Sequence, residues 1–152
     1  MSNIQRFNNL ISSLRSASSN SQKIQICQQL LNISGIPQEN KNNIYDCLSA
    51  SYWNIGIDLC NQEKFDEGIN NLENAHRYAT NYNRKTEIND TIDKIKKVKE
   101  QKRKNESNKR ACELFEEAKA LYNQQKYDEA INKINQCHRY DATKKTSQVF
   151  IQ

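Results

Sequence analysis

The sequence predicts an all-α protein built of antiparallel helical hairpins, arranged as a short solenoid with a long basic connecting helix. The 152 residues include three Gly and one Pro, and no stretch of alternating apolar residues that would favour a strand. A segment near the middle of the chain is repeated near its end, and apolar residues recur at helical spacing in both copies. A hydrophobic content of 36% suits an elongated structure better than a compact globule.

Two short helices are expected at the N-terminus. The first covers residues 3–15, with an apolar stripe that begins at Ile4 and ends at Leu14. A polar linker of serines leads to a second helix over residues 22–32. Gly35 fits the cap of that helix, and Pro37 fits the start of a third helix over residues 38–61. The first two helices can therefore pack as a hairpin against the third and cap one end of the solenoid.

The repeat is the strongest pattern in the chain. Asn61–Tyr78 and Asn123–Tyr140 agree at ten of eighteen positions, at an offset of 62 residues. Each copy has a helix, a polar break (NQEK or NQQK), an aromatic residue (Phe65 or Tyr127) that would plug the closed end, and a second helix. Helices joined by so short a turn pack antiparallel.

Each hairpin has small residues where its helices must approach closely and apolar residues at its predicted core. The small residues are Gly56 and Gly68 in the first copy, and Ala118 and Ala130 in the second. The second helices are expected to bury Ile69, Leu72 and Ala75 in the first copy, and Ile131, Ile134 and Cys137 in the second.

The two copies are joined by an unusual segment, residues 83–110. Its first half continues a helical apolar stripe through Ile88, Ile92, Ile95 and Val98, which should pack against the preceding hairpin. Residues 99–110 contain no apolar side chain, yet they contain no Gly or Pro and are rich in helix formers. One helix over about residues 84–122 is the simplest prediction, and a break near residues 105–108 is the alternative.

The hairpins resemble the tetratricopeptide repeat (TPR), a helical-hairpin family with a period of about 34 residues. The resemblance covers about 64 of the 152 residues, in copies at about 49–80 and 111–142. It departs from the family pattern in lacking the closing Pro and in its offset of 62, where two family periods would give about 68. The matching positions are Tyr52 or Trp53, Ile55, Gly56, Leu59, Phe65, Gly68 and Ala75, then Leu114, Ala118, Leu121, Tyr127, Ala130 and Cys137.

This resemblance implies a non-catalytic protein–protein interaction module, an adaptor or scaffold whose first helices line a groove for a peptide or another helix. The partner-binding groove would be lined by Trp53, Asn54, Ile57, Cys60, Phe115, Lys119 and Tyr122. Some TPR proteins clamp the C-terminal carboxylate of a chaperone with polar residues on this face. Trp53, Ile57 and Phe115 are apolar, so a hydrophobic helix is expected in place of that carboxylate. Alternatively, the same side chains contact neighbouring helices of this chain.

An alternative function depends on charge. Residues 83–110 hold 11 Lys and Arg against 5 Asp and Glu, a net charge of +6 in a chain of net charge +5. Such a segment can bind nucleic acid or an acidic, tubulin-like protein tail by releasing counterions, although it has no aromatic residue for base stacking. The simpler interpretation is a solvated helix, so nucleic acid is the less favoured partner. The basic surface comprises Lys94, Lys96, Lys97, Lys99, Lys102, Arg103, Lys104, Lys109 and Arg110.

No pattern indicates an enzyme, a cofactor or a metal site. His76 and His138 lie at equivalent positions of the two copies, so duplication explains their matching contexts. The acidic pairs that open the second helices suit helix N-termini better than acid–base catalysis. The five cysteines form no C-x-x-C pair and are expected to be reduced thiols of a cytoplasmic protein. No apolar run is long enough to cross a membrane.

The predicted organisation has five parts: an N-terminal hairpin (1–35), the first copy (38–82), the basic connecting helix (83–110), the second copy (111–142) and a tail (143–152). The tail ends in the apolar sequence VFI. Because a solenoid normally closes with a polar capping helix, three outcomes are open: the tail docks back, the chain forms a homo-oligomer or joins a larger complex, or it is a fragment.

Overall fold

The computed structural model describes residues 2–140, which form six α-helices and no strand. The predicted all-α class is therefore confirmed. The predicted third helix coincides with α3, and the connecting segment lies in one helix, α5, without a break near residues 105–108. The helices are α1 (Asn3–Ser16), α2 (Asn20–Leu31), α3 (Gln38–Asn61), α4 (Phe65–Tyr78), α5 (Tyr82–Asn123) and α6 (Tyr127–Tyr140).

The chain divides into two compact units, residues 1–97 and 98–152. The first unit contains α1 to α4 and the beginning of α5, and the second contains the rest of α5 and α6. The division falls within the segment that was expected to connect the two copies. The tail, residues 143–152, lies outside the described residues.

At the N-terminus, α1 packs against α2 and α2 packs against α3. The Ser2 hydroxyl accepts from the Gln5 N–H (3.2 Å) while the Gln5 side chain accepts from the Ser2 N–H (3.1 Å), which fixes the start of α1. At the start of α2, the Ser19 hydroxyl accepts from the Gln22 N–H (3.2 Å). Gly35, at φ +79°, lies in the turn before α3 and beyond the cap residue Asn32 of α2. The core of this region consists of Cys27, Leu30, Ile33, Ile36, Ile44 and Leu48.

The turn of each hairpin has the same backbone geometry. The Lys64 N–H donates to the Leu59 carbonyl (2.9 Å), and the Lys126 N–H donates to the Leu121 carbonyl (3.0 Å). The residue before each lysine, Glu63 or Gln125, has a left-handed φ of 63°. This six-residue hydrogen-bonded loop is the Schellman ending of a helix, in which glycine is the usual left-handed residue. The repeat is thus structural as well as sequential.

The helices of the first hairpin approach each other closely at Gly56 and Gly68. A Cβ atom built on Gly56 would lie 2.8 Å from Leu72 Cγ and 2.9 Å from the Gly68 carbonyl oxygen. The second hairpin has Ala118 and Ala130 at these positions, and both are buried. The small residues therefore occupy the contact that the sequence predicted for them.

Candidate partner-binding cleft

The first hairpin has a cleft between α3 and α4 that the beginning of α5 fills. Ile88 is fully buried there and Ile92 is 5% exposed, in one cluster with Ile69 and Leu72 of α4. Ile95 packs on the edge of the same cluster. We call this site the covered cleft. The predicted packing against the preceding hairpin is therefore confirmed for Ile88, Ile92 and Ile95, whereas Val98, which was expected to continue the stripe, is 57% exposed.

Three of the predicted groove residues belong to the covered cleft. Trp53, Ile57 and Cys60 are half-buried and pack against the cluster that α5 completes. The Arg84 guanidinium of α5 lies 4.5 Å from the centre of the Trp53 ring, a cation–π contact. These three side chains thus contact neighbouring helices of the chain itself. Asn54 is exposed, and its side-chain amide donates to the Asn20 side chain at 3.5 Å.

The other three predicted groove residues lie in the second unit. Phe115 is half-buried against the small cluster of Ala111, Leu114 and Cys137. The Lys119 ammonium lies 5.3 Å from the centre of the Phe115 ring and 2.9 Å from a carboxylate oxygen of Glu116. Tyr122 is 53% exposed, and its ring meets Tyr127 edge-on with the ring centres 5.4 Å apart.

Tyr122 also lines a second cleft, between the end of α5 and α6, that no described residue fills. It has a volume of about 270 Å³. Ile131 is 57% exposed there and Tyr127 is 52% exposed. We call it the open cleft, and it is lined by Ala118, Tyr122, Tyr127, Ala130, Ile131 and Ile134.

The exposure of Ile131 and Tyr127 corrects the sequence prediction, which placed Ile131 in the core and Tyr127 as a plug. The equivalent Ile69 is 8% exposed because α5 covers it. Among residues 2–140, no helix covers Ile131 in the same way. The signal was present in the sequence, since two hairpins are accompanied by only one Ile88–Ile92–Ile95 stripe.

The predicted basic surface is partly neutralised by acidic residues on the same helix. Arg103 donates two hydrogen bonds to Glu100 (2.8 and 2.9 Å), and the Arg103 guanidinium lowers the pKa of that carboxyl. Lys104 lies 3.8 Å from Glu100, and Arg110 lies 3.1 Å from Glu113. Lys102, Arg103 and Lys104 are consecutive on a helix, so they point to three different sides. The remaining members, Lys94, Lys96, Lys97, Lys99 and Lys109, also lie on α5.

The two histidines, His76 and His138, lie at equivalent positions of the two hairpins, on α4 and α6. His76 Nε2 lies 3.2 Å from the Asn89 side-chain amide nitrogen, which links α4 to α5. The equivalent His138 is exposed on α6. Within the described part of the chain, no group of three His, Cys, Asp or Glu side chains is placed to hold a metal ion.

The five cysteines form no disulfide, and a hydrogen bond joins the thiols of Cys27 and Cys47. The Cys27 thiol donates to the Cys47 sulfur. This hydrogen bond, with help from the Ser51 hydroxyl and the Lys23 charge, lowers the pKa of Cys47 to about 6 against the opposing effect of burial. The same contact, together with burial, raises the pKa of Cys27. The hydrogen bond from Cys27 therefore favours the thiolate form of Cys47 over that of Cys27.

No family model, curated protein or solved structure matches this chain. No helix among the described residues is long and apolar enough to span a membrane. The open cleft is suited to the burial of an apolar surface, because aliphatic and aromatic side chains line it.

Proposed function

We propose that this protein is a non-catalytic, TPR-like interaction module, an adaptor or scaffold, which binds a peptide or helix of a partner protein in its open cleft. One comparison carries the proposal. The two hairpins are copies, and the cleft of the first copy is filled by a helix, whereas the cleft of the second is exposed. A hairpin of this kind accepts a helix, and in the second copy that helix would come from a partner.

The apolar surface in the open cleft supports this function. Exposed aliphatic and aromatic side chains that lie together mark interaction sites more often than isolated ones do. Tyr122, Tyr127 and Ile131 are each more than half exposed and lie side by side. Full burial of one such side chain contributes about 1.5–3 kcal/mol. Aromatic residues in a concave apolar site are also typical of the centres of protein interfaces.

A cytosolic partner is expected, because none of the five cysteines forms a disulfide. Tyr122, which the TPR resemblance assigns to the groove, lines the open cleft, and the other two assigned residues, Phe115 and Lys119, lie on the preceding turns of the same helix. The resemblance and the geometry therefore favour the same part of the chain.

The proposal is tested by capturing partners from the source cell with tagged full-length protein. Three variants are compared with the wild type: Ile131→Asp in the open cleft, Ile4→Asp on another exposed apolar residue, and a five-site variant with Glu at 96, 97, 102, 103 and 104. We expect proteins that Ile131→Asp loses and that the other two variants retain. Ile4 is a matched control because it is 73% exposed.

The opposite result would transfer the function to α5. Partners lost only by the five-site variant, with binding that weakens steeply as salt rises, would indicate an electrostatic binder of nucleic acid or acidic tails. Partners that all variants retain equally would exclude both sites.

A further inference from the structure

We propose that the occupant of the open cleft is an amphipathic partner helix with branched aliphatic residues at positions i, i+4 and i+7, preceded at i−4 by an acidic residue. This inference rests on the proposed function and specifies its partner. The template is α5, whose Ile88, Ile92 and Ile95 have this spacing and fill the covered cleft.

The residues around the covered cleft have equivalents in the second hairpin, three of which (Tyr122, Ile131 and Ile134) line the open cleft, so one cleft predicts the occupant of the other. At the offset of 62 residues, four of five wall positions stay apolar or aromatic. The pairs are Trp53 and Phe115, Ile57 and Lys119, Cys60 and Tyr122, Ile69 and Ile131, and Leu72 and Ile134. A stripe that seats against Ile69 and Leu72 therefore meets the same type of surface at Ile131 and Ile134.

The fifth pair, Ile57 and Lys119, introduces a positive charge in the second hairpin. In the covered cleft, Arg84 of the occupying helix lies on the Trp53 ring, four residues before Ile88. In the second hairpin the equivalent ring, Phe115, already has a cation on it, because Lys119 replaces Ile57 and lies 5.3 Å from the ring centre.

A cation at i−4 of the occupant would thus be repelled by Lys119, and an acidic residue there would be attracted to it. Glu116 forms an ion pair with Lys119 on α5. An acidic residue of the occupant would share this ammonium group, so selectivity is expected to come from the penalty on a cation as much as from the new ion pair.

The experiment uses a peptide with the sequence of residues 82–98, which is long enough to contain the whole stripe. Because an isolated helix of this length is marginal in water, it is stapled at positions 86 and 90, which are exposed in the chain. Two forms are compared, one with Arg at position 84 and one with the Arg84→Glu substitution. Binding to the full-length protein is measured by fluorescence anisotropy.

We expect the Arg84→Glu peptide to bind about fivefold to tenfold more tightly than the Arg form, a preference that Lys119→Ala abolishes. Ile131→Asp should weaken binding of both peptides by at least about tenfold, whereas Ile4→Asp should not. A peptide with Ser at 88, 92 and 95 should not bind.

Three results would overturn the inference. In the first, neither peptide binds wild-type protein. In the second, a Val149→Asp/Phe150→Asp variant binds the peptide and wild type does not, so that the chain's own segment is the occupant. In the third, Ile131→Asp abolishes a concentration-dependent dimer in sedimentation, so that a second copy is the occupant.

These results are separable from a failure of the proposed function. If neither peptide binds but captured partners still depend on Ile131, the interaction function stands and only the helix pattern is wrong. If captured partners do not depend on Ile131, the function itself fails.

Discussion

Ser49 and Ala75 are joined by a hydrogen bond between α3 and α4 that the second hairpin makes in the opposite direction. The Ser49 hydroxyl donates to the Ala75 carbonyl at 2.8 Å. At the equivalent positions, the Cys137 thiol of α6 donates to the Ala111 carbonyl of α5 at 3.2 Å. Each hairpin thus has a side-chain hydrogen bond between its two helices at this position. The donor lies on the first helix in one hairpin and on the second helix in the other.

Loss of the Ser49 hydrogen bond should destabilise the first unit. Ser49 is buried, and its replacement by alanine removes the hydroxyl that donates to the Ala75 carbonyl. We expect Ser49→Ala to lower the free energy of unfolding by about 1 kcal/mol, measured by urea denaturation. Ser13→Ala is the matched control, because the exposed Ser13 hydroxyl bonds only within its own helix, to Asn9. Equal effects of both variants would contradict this role.

The left-handed residue in the second hairpin's turn should be improved by glycine. Gln125 has φ 63°, a conformation that costs a side chain about 1 kcal/mol and glycine almost nothing. Gln125→Gly is therefore expected to raise the free energy of unfolding by up to about 1 kcal/mol. Gln136→Gly within α6 should lower it by a similar amount. If both variants changed the free energy of unfolding in the same direction, the left-handed backbone at Gln125 would not be the cause.

Gly56 should not tolerate a methyl group. Its Cβ would lie 2.9 Å from the Gly68 carbonyl oxygen, a backbone atom that cannot rotate away. We expect Gly56→Ala to cost about 1–3 kcal/mol despite the higher helix propensity of alanine. The measurement is the thermal midpoint by circular dichroism. Gly35→Ala is the comparison variant. A Cβ there would meet no neighbouring atom, so any loss of stability in that variant reports the strain of its left-handed φ of +79° and not a steric overlap. A higher midpoint for Gly56→Ala would refute the close approach.

The Cys27–Cys47 pair predicts a pH-dependent reactivity. Because Cys47 has a pKa of about 6, its alkylation by iodoacetamide should be half-maximal near pH 6, as followed by mass spectrometry of the modified peptide. Cys27→Ala removes the main cause of the shift, so the midpoint should rise towards the ordinary value of 9.0. An unchanged midpoint in Cys27→Ala would mean that the thiol hydrogen bond is not the cause.

The same pair should affect stability, and the two groups act in opposite directions. The lowered pKa of Cys47 stabilises the fold fully above pH 9.0, and this contribution is lost as the pH falls towards about 6. The raised pKa of Cys27 stabilises the fold fully below its unfolded value of 9.0, and this contribution is lost as the pH rises through the folded pKa. The stability difference between wild type and Cys47→Ser should therefore grow from pH 6 to pH 9.

The helices were readable from the sequence because their causes are local. Pro37 and the polar break at Asn61 mark both ends of α3, and the absence of Gly and Pro keeps α5 continuous. The close contact at Gly56 and Gly68 was likewise visible as two small residues in equivalent places.

Burial was less predictable, because it depends on neighbours that a local pattern does not contain. Ile69 and Ile131 have almost the same flanking residues, yet one is covered by α5 and the other lies in the open cleft. The Cys27–Cys47 contact joins two helices at positions that no spacing rule links. The sequence contains two hairpins but one aliphatic stripe, Ile88–Ile92–Ile95, so one of the two clefts has no such stripe to fill it.

The stripe of α5 also has a consequence for how the chain reaches its native state. If the open cleft accepts such a helix, as we propose, Ile88, Ile92 and Ile95 have two sites of similar chemistry to choose from during folding, and we expect native and swapped docking to compete. We expect Lys119 to disfavour Arg84 in the swapped docking, whereas Arg84 lies on the Trp53 ring in the native one. Arg84 and Lys119 are thus expected to favour the native docking over a misfolded state in which the stripe occupies the second hairpin.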